Sequence, residues 1–323
     1  MKVLRHVDSL RLEPRPIAVA IGFFDGVHRG HQRILSCARD AATASGGEVW
    51  ILSFDVHPRR IVGGAPPPLL TCNRHKVMLL RRYGVDGCLL LPFTHEVADT
   101  APDAFVDRLL ASAPTLCAIA VGADWRFGRR ADGTVDQLRS TGEPRGVRVA
   151  AVTPLLHDGV AVSSTRIRAA VAAGNLDEAA ALLGRPFSLL GRVVHGRAIG
   201  RELGFPTANL ACDNEAVPPQ GVYAVWAAVG GAIREGVLSF GTRPTLGGDP
   251  AHPVLELHLP GVVTDLYGQD IEVFFVARIR DQQRFETPAL LRERMLVDIE
   301  QCARLLGDST LKEWLYTHCF GVL

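Results

Sequence analysis

Short apolar runs alternate with amphipathic segments through the first half of the chain. The apolar runs are almost continuous, as in strands that are covered on both faces of a parallel sheet. They occupy residues 17–21, 48–54, 87–91, 117–121 and 147–152. Helical periodicity falls between them, at residues 31–44, 74–83 and 102–111. This alternation predicts an α/β domain with a doubly wound parallel sheet.

Residues 163–184 have the pattern of two short helices, the first stopping at Gly174 and the second at Gly184. After Phe187 the pattern changes to short strands punctuated by Gly and Pro, followed by one long amphipathic helix from Pro288 to about Leu306. The strand runs are residues 191–195, 221–229, 236–240, 254–259 and 271–277. This second pattern predicts a small antiparallel β-barrel or sandwich with a C-terminal helix.

Length and charge refine this division. A chain of 323 residues suits two domains, and the change of pattern puts them at residues 1–186 and 187–323. The 35 Lys and Arg against 34 Asp and Glu give a net charge of +1, which is too little to hold a long nucleic acid. Small anions need only a local positive pocket, so small molecules are the expected partners.

The same composition bears on location. No apolar run approaches the roughly 18 residues that cross a bilayer, and the first 21 residues lack the regions of a secretion signal. The seven cysteines include no Cys-x-x-Cys pair, which favours free thiols in a reducing compartment. We therefore expect a soluble cytoplasmic protein without membrane contact; the sequence leaves a homo-oligomer open.

The turn between the first predicted strand and helix carries the sharpest chemistry. Ligands of open α/β sheets bind at strand ends, and a helix start presents free N–H groups to a phosphate. His28 and His31 add side-chain donors there, and Gly26 and Gly30 permit close approach. The common phosphate-loop and dinucleotide motifs are absent from the sequence. Taken alone, the two histidines could also be zinc ligands or plain structure.

A second helix start, at residues 163–168, combines hydroxyl and guanidinium groups, and Arg grips phosphate oxygens well. Two such starts in one domain favour a bound triphosphate. In the second half, Gly196, Gly200 and Gly204 predict either a close approach to a ligand or a bare turn. The hydroxyl of Thr207 and the amide of Asn209 share one face of a strand and could meet Mg²⁺.

Several segments together resemble one family. In the first half they are residues 22–31 (GFFDGVHRGH), 53–58 (SFDVHP), 121–128 (VGADWRFG), 163–168 (SSTRIR) and 183–186 (LGRP). In the second half they are residues 191–196 (GRVVHG), 200–210 (GRELGFPTANL), 221–224 (GVYA), 241–245 (GTRPT), 256–259 (ELHL) and 265–268 (DLYG). The chain resembles the prokaryotic bifunctional riboflavin kinases/FAD synthetases, from about Pro16 to Asp298.

For the first half, the resemblance implies a nucleotidyltransferase domain that transfers AMP from ATP to the phosphate of FMN. His28 and His31 would stabilise charge on the α-phosphate and the leaving group. The other implied ATP contacts are Gly22, Phe24, Asp25, Gly30, Ser164, Thr165 and Arg168.

For the second half, the resemblance implies a small antiparallel β-barrel with a C-terminal helix, a kinase domain that makes FMN from riboflavin and ATP. Glu256 would be the base that accepts the proton of the 5′-hydroxyl, while Thr207 and Asn209 carry Mg²⁺ with ATP. Without the family, Glu256 could face either a pocket or solvent. The remaining implied ATP and flavin contacts are Gly196, Gly200, Arg201, Pro206, Arg280 and Asp298.

Three other functions remain at this stage. The chain could keep only one of the two activities, or it could be a paralogue that binds flavin and nucleotide without turnover. It could also be a cytidylyl or pantetheine-phosphate adenylyltransferase, which the motifs of the second half disfavour. Retention of Glu256, His28 and His31 disfavours a pure binder. Compared with the usual family pattern, the sequence differs at Val56, Ala123, Gln282 and Arg294.

Overall fold

The computed structural model describes residues 1–196, 204–241, 254–262, 265–307 and 309–320. These residues form two compact units. The first consists of Met1–Leu69 and Asn73–Ser164, and the second of Leu70–Cys72 and Thr165–Leu323. The domain boundary between residues 186 and 187 stays a prediction from the sequence pattern.

The first unit is built on a six-stranded parallel sheet with the order β1-β4-β3-β2-β5-β6. The strands are β1 Lys2–Leu4, β2 Ile17–Ile21, β3 Glu48–Phe54, β4 Gly87–Leu91, β5 Leu116–Gly122 and β6 Arg148–Val152. The predicted doubly wound sheet is confirmed, and each of its five predicted strands lies within one residue of the prediction. The short edge strand β1 was not predicted.

Helices cover both faces of this sheet. They are α1 Arg29–Ala44, α2 Arg59–Val62, α3 Asn73–Arg82, α4 His95–Ala98, α5 Pro102–Ser112 and α6 Val135–Gly142. Short 3-10 turns occupy Val7–Leu12, Arg129–Ala131 and Glu143–Arg145, and a small hairpin pairs β7 Leu156–His157 with β8 Val160–Ala161.

Strand β2 shows why the sheet is covered twice. Ile17 and Val19 pack into the core on one face, while Ala18 and Ala20 pack into the core that includes α1 on the other. Because successive side chains of a strand point to opposite faces, an uninterrupted apolar strand needs cover on both sides.

The second unit is a closed antiparallel barrel with the order β10-β13-β12-β11-β14-β9. Helices α7 Ser164–Ala173 and α8 Leu176–Leu183 precede it. Its strands are β9 Ser188–Val194, β10 Thr207–Cys212, β11 Gly221–Val229, β12 Ala232–Gly241, β13 Val254–His258 and β14 Asp270–Arg280. Of the two predicted architectures, barrel or sandwich, the barrel is therefore present.

Two helices follow the barrel, α9 Pro288–Leu305 and α10 Ser309–Phe320. The C-terminal helix predicted from the sequence corresponds to α9, and α10 was not predicted. Both helices contribute to a core on one outer face of the barrel, where Cys302 and Leu315 lie with Trp226. No helix among the described residues is both long and apolar enough to cross a membrane.

Candidate active sites

The loop between β2 and α1 is strained. Phe24 and Val27 adopt positive φ angles of 55° and 42°, and Gly26 lies between them with a φ of 80°. Non-glycine residues rarely adopt this region, β-branched ones least of all, at a cost of about 1–3 kcal/mol each. Phe24 and Val27 are both fully buried, so core packing holds the strain. Such strain is concentrated at functional loops.

His28 and His31 lie where this loop becomes helix α1. His28 caps the helix, and its Nδ1 accepts the backbone N–H of His31 at 3.3 Å. Since Nδ1 is the acceptor, a neutral His28 carries its proton on Nε2, which is then a donor. The two rings stack with centroids 3.6 Å apart. A Cβ on Gly30 would lie 3.1 Å from the His28 ring, so a larger residue at position 30 would crowd that ring.

The electrostatic setting keeps His31 neutral. Burial lowers its pKa well below the usual value, and electrostatic repulsion from His28 and Lys76 lowers this pKa further. Its Nδ1 is buried, and none of the described residues gives it a hydrogen-bond partner. A buried polar atom at the start of a helix is usually hydrogen-bonded, so Nδ1 of His31 is suited to bind a ligand that supplies its missing partner.

The zinc interpretation of the histidine pair finds no support in the described part of the chain. Those residues contain no group of three His, Cys, Asp or Glu side chains that could hold a metal ion. In addition, Nδ1 of His28 already accepts a backbone N–H. The geometry favours an anion at the N-terminus of α1.

Ser164 contacts the loop that leads to His28. It begins α7, and its hydroxyl donates to the carbonyl oxygen of Asp25 at 2.9 Å. Asp25 is itself buried. Gly22 lies beneath the ring of Phe24, whose nearest atom would be 3.3 Å from an added Cβ.

The other two residues predicted on α7 belong to the second unit. Thr165 is exposed and Arg168 is half-buried. Their phosphate contacts stay predictions from the sequence motif.

In the barrel, strand pairing aligns the predicted base with the predicted metal ligand. Glu256 on β13 is the register partner of Asn209 on β10 and of Ser239 on β12. Directly paired residues of antiparallel strands project to the same face. Thr207 shares that face, two residues before Asn209. The structure therefore brings Thr207, Asn209 and Glu256 to one surface of the barrel.

The predicted glycine loop is described only in part. A Cβ on Gly196 would lie 2.1 Å from Nδ2 of Asn209, so glycine is required for the Asn209 side chain to occupy its place. Gly200 and Arg201 lie outside the described residues. Pro206 is exposed, and its carbonyl oxygen accepts a hydrogen bond from Nδ1 of His258 at 2.9 Å.

Arg280 and Asp298 form an ion pair with each other. The Arg280 guanidinium donates to both Asp298 oxygens, at distances of 2.7–3.0 Å, and Asp298 is 2% exposed. Arg294 adds a second guanidinium at 3.0 Å. The pair joins β14 to α9, and direct flavin contacts by either residue stay a prediction.

Gln282, one of the four departures from the family pattern, donates through its amide to Ser239 Oγ at 3.0 Å and to Phe240 O at 3.1 Å. A carboxylate cannot donate these bonds. Gln282 therefore fixes Ser239, the strand neighbour of Glu256.

Sequence reasoning missed two residues that support the sites. His258 holds Pro206, and its position two residues after Glu256 on the same face was the available signal. Lys76 is buried beneath the loop that leads to His28. It lies on the apolar face of α3, three and four residues before Leu79 and Leu80, which is an unusual position for a lysine.

The first unit also contains a largely apolar cavity of about 340 Å³ near the carboxyl ends of β3 and β4. Its lining includes Leu52, Leu91 and Phe105, with Arg5 and Arg108 as cationic members. Its volume is in the range of small-molecule sites, and the position is where open α/β sheets bind ligands.

Comparison with known proteins gives matches over both units. A family model described as FAD synthetase matches residues 10–166, and one described as riboflavin kinase matches residues 183–306. The bifunctional riboflavin kinase/FMN adenylyltransferase of Pseudomonas fluorescens is 36% identical over 310 residues, covering 96% of this chain and 99% of the relative. The protein of the same name from Escherichia coli K12 is 36% identical over 301 residues, covering 92% and 96%.

Among solved structures, one described as a macrolide-efflux protein from Streptococcus pneumoniae aligns with a TM-score of 0.79 at 28% identity. The alignment covers 93% of this chain and 98% of that one.

Proposed function

This chain belongs to the family of bifunctional riboflavin kinases/FMN adenylyltransferases, and we propose that residues 187–323 make FMN and residues 1–186 convert it to FAD. The enzyme phosphorylates riboflavin with ATP and then transfers AMP from a second ATP to FMN, with release of pyrophosphate. This assignment rests on one observation: each unit has its own candidate catalytic groups. They are His28 and His31 in the first unit and Glu256 with Asn209 in the second.

Adenylyl transfer in the first domain requires no protein nucleophile. An oxygen of the FMN phosphate attacks the α-phosphorus of ATP, a P–O bond forms, and the bond to the β-phosphate breaks as pyrophosphate leaves. The Nε2–H of His28 and the N–H groups at the start of α1 donate to the oxygens on which charge develops. His31, which its surroundings keep neutral, donates or accepts without adding a charge.

We assign the β- and γ-phosphates to Ser164, Thr165 and Arg168, and the remaining ATP contacts to Gly22, Phe24, Asp25 and Gly30. The hydrogen bond from Ser164 to the carbonyl oxygen of Asp25 holds the start of α7 against this loop. Because that bond uses the one hydroxyl proton of Ser164, this residue would meet phosphate through its backbone N–H. For the flavin ring of FMN we propose the cavity lined by Leu52, Leu91 and Phe105, because its apolar walls suit a flat heterocycle.

Phosphoryl transfer in the second domain starts at Glu256. Its carboxylate accepts the proton of the riboflavin 5′-hydroxyl as that oxygen attacks the γ-phosphorus, and ADP leaves. Thr207 and Asn209 would hold Mg²⁺, since hydroxyl and amide oxygens suit this hard cation. When bound, Mg²⁺ neutralises phosphate charge during the transfer. The tight space that Gly196 leaves for Asn209 supports this assignment.

The cysteines support a proposed cytoplasmic location. All seven lie within the described residues and none forms a disulfide there, which is typical of proteins in a reducing compartment.

Product analysis tests the proposal. The purified chain is incubated with riboflavin, ATP and Mg²⁺, and the flavins are separated by chromatography over time. FMN is expected first and FAD later, with neither formed when a chelator removes the metal. If FMN forms without FAD, the chain has only the kinase activity. If riboflavin stays unchanged, the chain is a binding protein. Supplying FMN directly then measures the first domain alone.

A further inference from the structure

A buried lysine lies behind the adenylyl-transfer loop. Lys76 on α3 is 2% exposed. Its ammonium donates to the carbonyl oxygens of Phe23 and Phe54, at 3.2 and 3.1 Å, and to the hydroxyl of Ser53 at 3.3 Å. An ammonium has three N–H donors, and these acceptors are all within their reach.

These acceptors lie at the carboxyl ends of two neighbouring strands. Phe54 is the last residue of β3, and Phe23 directly precedes Phe24, the first residue of the strained loop. Ser53 also donates to the Phe23 carbonyl, at 3.0 Å. The ammonium lies 4.2 Å from the centre of the Phe23 ring, within the range of a cation–π contact. One side chain therefore fixes Phe23 through both its carbonyl and its ring.

The contact reaches the histidines by a short route. Phe24 follows Phe23, and its ring centre is 5.0 Å from that of His31. The charge of Lys76 also acts on His31, where together with that of His28 it disfavours protonation. Lys76 is thus coupled to His31 both mechanically and electrostatically.

Stability alone does not account for an ammonium at this position. Taking a charge out of water is costly, and a methionine of similar length would fill the space without that cost. A methionine, however, could not donate hydrogen bonds to the carbonyl oxygens of Phe23 and Phe54, and so could not fix the turn at Phe23.

We propose that Lys76 is a positioning residue for adenylyl transfer, whose ammonium holds the turn at Phe23 and Phe24 in the conformation that places His28 and His31 against the phosphates of ATP. This inference rests on the proposed roles of His28 and His31. It assigns Lys76 no direct contact with substrate.

The test compares Lys76→Met with Lys76→Arg in the full-length chain. Conversion of FMN to FAD is measured with its kcat, its KM for ATP and its pH profile. The calorimetric transition of the first unit reports on the folding around Lys76, and conversion of riboflavin to FMN reports on the second unit in the same sample. Lys76→Met is expected to lower kcat for FAD at least about tenfold, since misplacement by about 1 Å can cost a hundredfold. FMN formation should stay within about twofold of the parent, because the kinase site lies in the other unit.

The pH profile separates positioning near His31 from a general loss of packing. His28 and Lys76 are the charged groups that act on His31. Removing the Lys76 charge should move the acid limb of FAD formation to higher pH, because protonation of His31 is then less opposed. Lys76→Arg keeps the charge and should leave that limb in place, while its altered geometry lowers kcat by less than Lys76→Met does.

Arg81→Met is the matched control, since it removes an exposed cation from the same helix. It should change neither activity. The proposal is overturned if Lys76→Met forms FAD within about twofold of the parent rate, or if Arg81→Met shows the same loss. Should Lys76→Met unfold the first unit, as its calorimetric transition would show, Lys76→Arg decides, and a full kcat for FAD in that variant would refute the positioning role.

The His28→Ala variant tests the proposed active site independently of Lys76. If it left FAD formation intact, the site assignment would fail, whatever Lys76→Met does.

Discussion

The two candidate nucleotide sites of this chain are built on opposite kinds of backbone. In the first unit the histidines follow a loop with left-handed residues on both sides of Asp25, and buried side chains hold it. In the barrel, Thr207, Asn209 and Glu256 lie on ordinary strands and are aligned by register. The two sites should therefore be sensitive to different substitutions. The first depends on the conformation of its main chain, whereas the second depends on the positions of individual side chains.

Glu256→Gln gives the largest expected effect. It should reduce riboflavin phosphorylation by about 10³-fold, since general base catalysis contributes about 10²–10⁴-fold, and leave conversion of FMN to FAD nearly unchanged. Chromatography of flavins from separate riboflavin and FMN incubations measures both rates. A parallel fall in both would contradict the assignment of the two activities to separate sites.

His28→Ala should show the reverse pattern. Loss of its donor is expected to slow FAD formation about 10²-fold, in line with removal of one donor from a developing charge. Riboflavin phosphorylation should be unaffected in the same preparation. Because the variant also loses a helix cap, its melting temperature is measured beside that of His28→Asn, which restores a capping side chain. If His28→Asn regained full FAD synthesis, capping rather than catalysis would explain the residue.

Gly196→Ala tests the dependence of the barrel site on side-chain position. The new methyl group would displace the amide end of Asn209, so phosphorylation should fall roughly tenfold, an estimate based on the sensitivity of positioned groups. The melting temperature should barely change, since a flexible side-chain end can move. When the kinase rate is titrated with Mg²⁺, the variant should need a higher Mg²⁺ concentration to reach half of its maximal rate. An unshifted curve would remove Asn209 from the metal site.

Gly26→Ala tests the dependence of the first site on backbone path. Forcing a Cβ into the left-handed region costs about 1–2 kcal/mol, so the transition of the first unit should move to lower temperature in calorimetry. In contrast to Gly196→Ala, stability and FAD formation should fall together. A variant with unchanged stability would show that the loop does not depend on its left-handed geometry.

The smallest expected effect concerns pH. The folded pKa of His31 lies well below its unfolded value of about 6.5, so the unfolded chain binds more protons once the pH falls below that value. The free energy of unfolding of the first unit should therefore decrease from about pH 6.5 downward. Urea melts between pH 8 and pH 5 measure this slope, and His31→Gln should reduce it. An equal slope in that variant would place the titration elsewhere.

Most of the fold was predictable because the strands of the first unit are covered on both faces and appear as bare apolar runs. β1 escaped prediction because three residues at a sheet edge carry almost no pattern. Helix α10 escaped because its polar and apolar residues are not clearly separated into faces. The closed barrel could not be distinguished from a sandwich, because closure depends on the pairing of β9 with β10 and β14, which no local pattern encodes.

The candidate sites were predictable only where residues occur in motifs. His28, Asn209 and Glu256 belong to such segments. Lys76 does not, and its acceptor Phe23 lies 53 residues earlier in the chain, so the contact exists only after folding. Two of the four departures from the family pattern have partners in the structure: Gln282 donates to Ser239, and Arg294 gives the buried Asp298 a second cation.

The alignment of Asn209, Glu256 and Ser239 has a consequence for the quality of a preparation. A slip of one residue in the pairing of β13 would turn Glu256 inward and bring Leu255 or Leu257 to the surface. Molecules with that error would still convert FMN to FAD. The ratio of the two specific activities in a single sample is therefore a gauge of barrel folding fidelity, and it needs no probe other than the natural substrates.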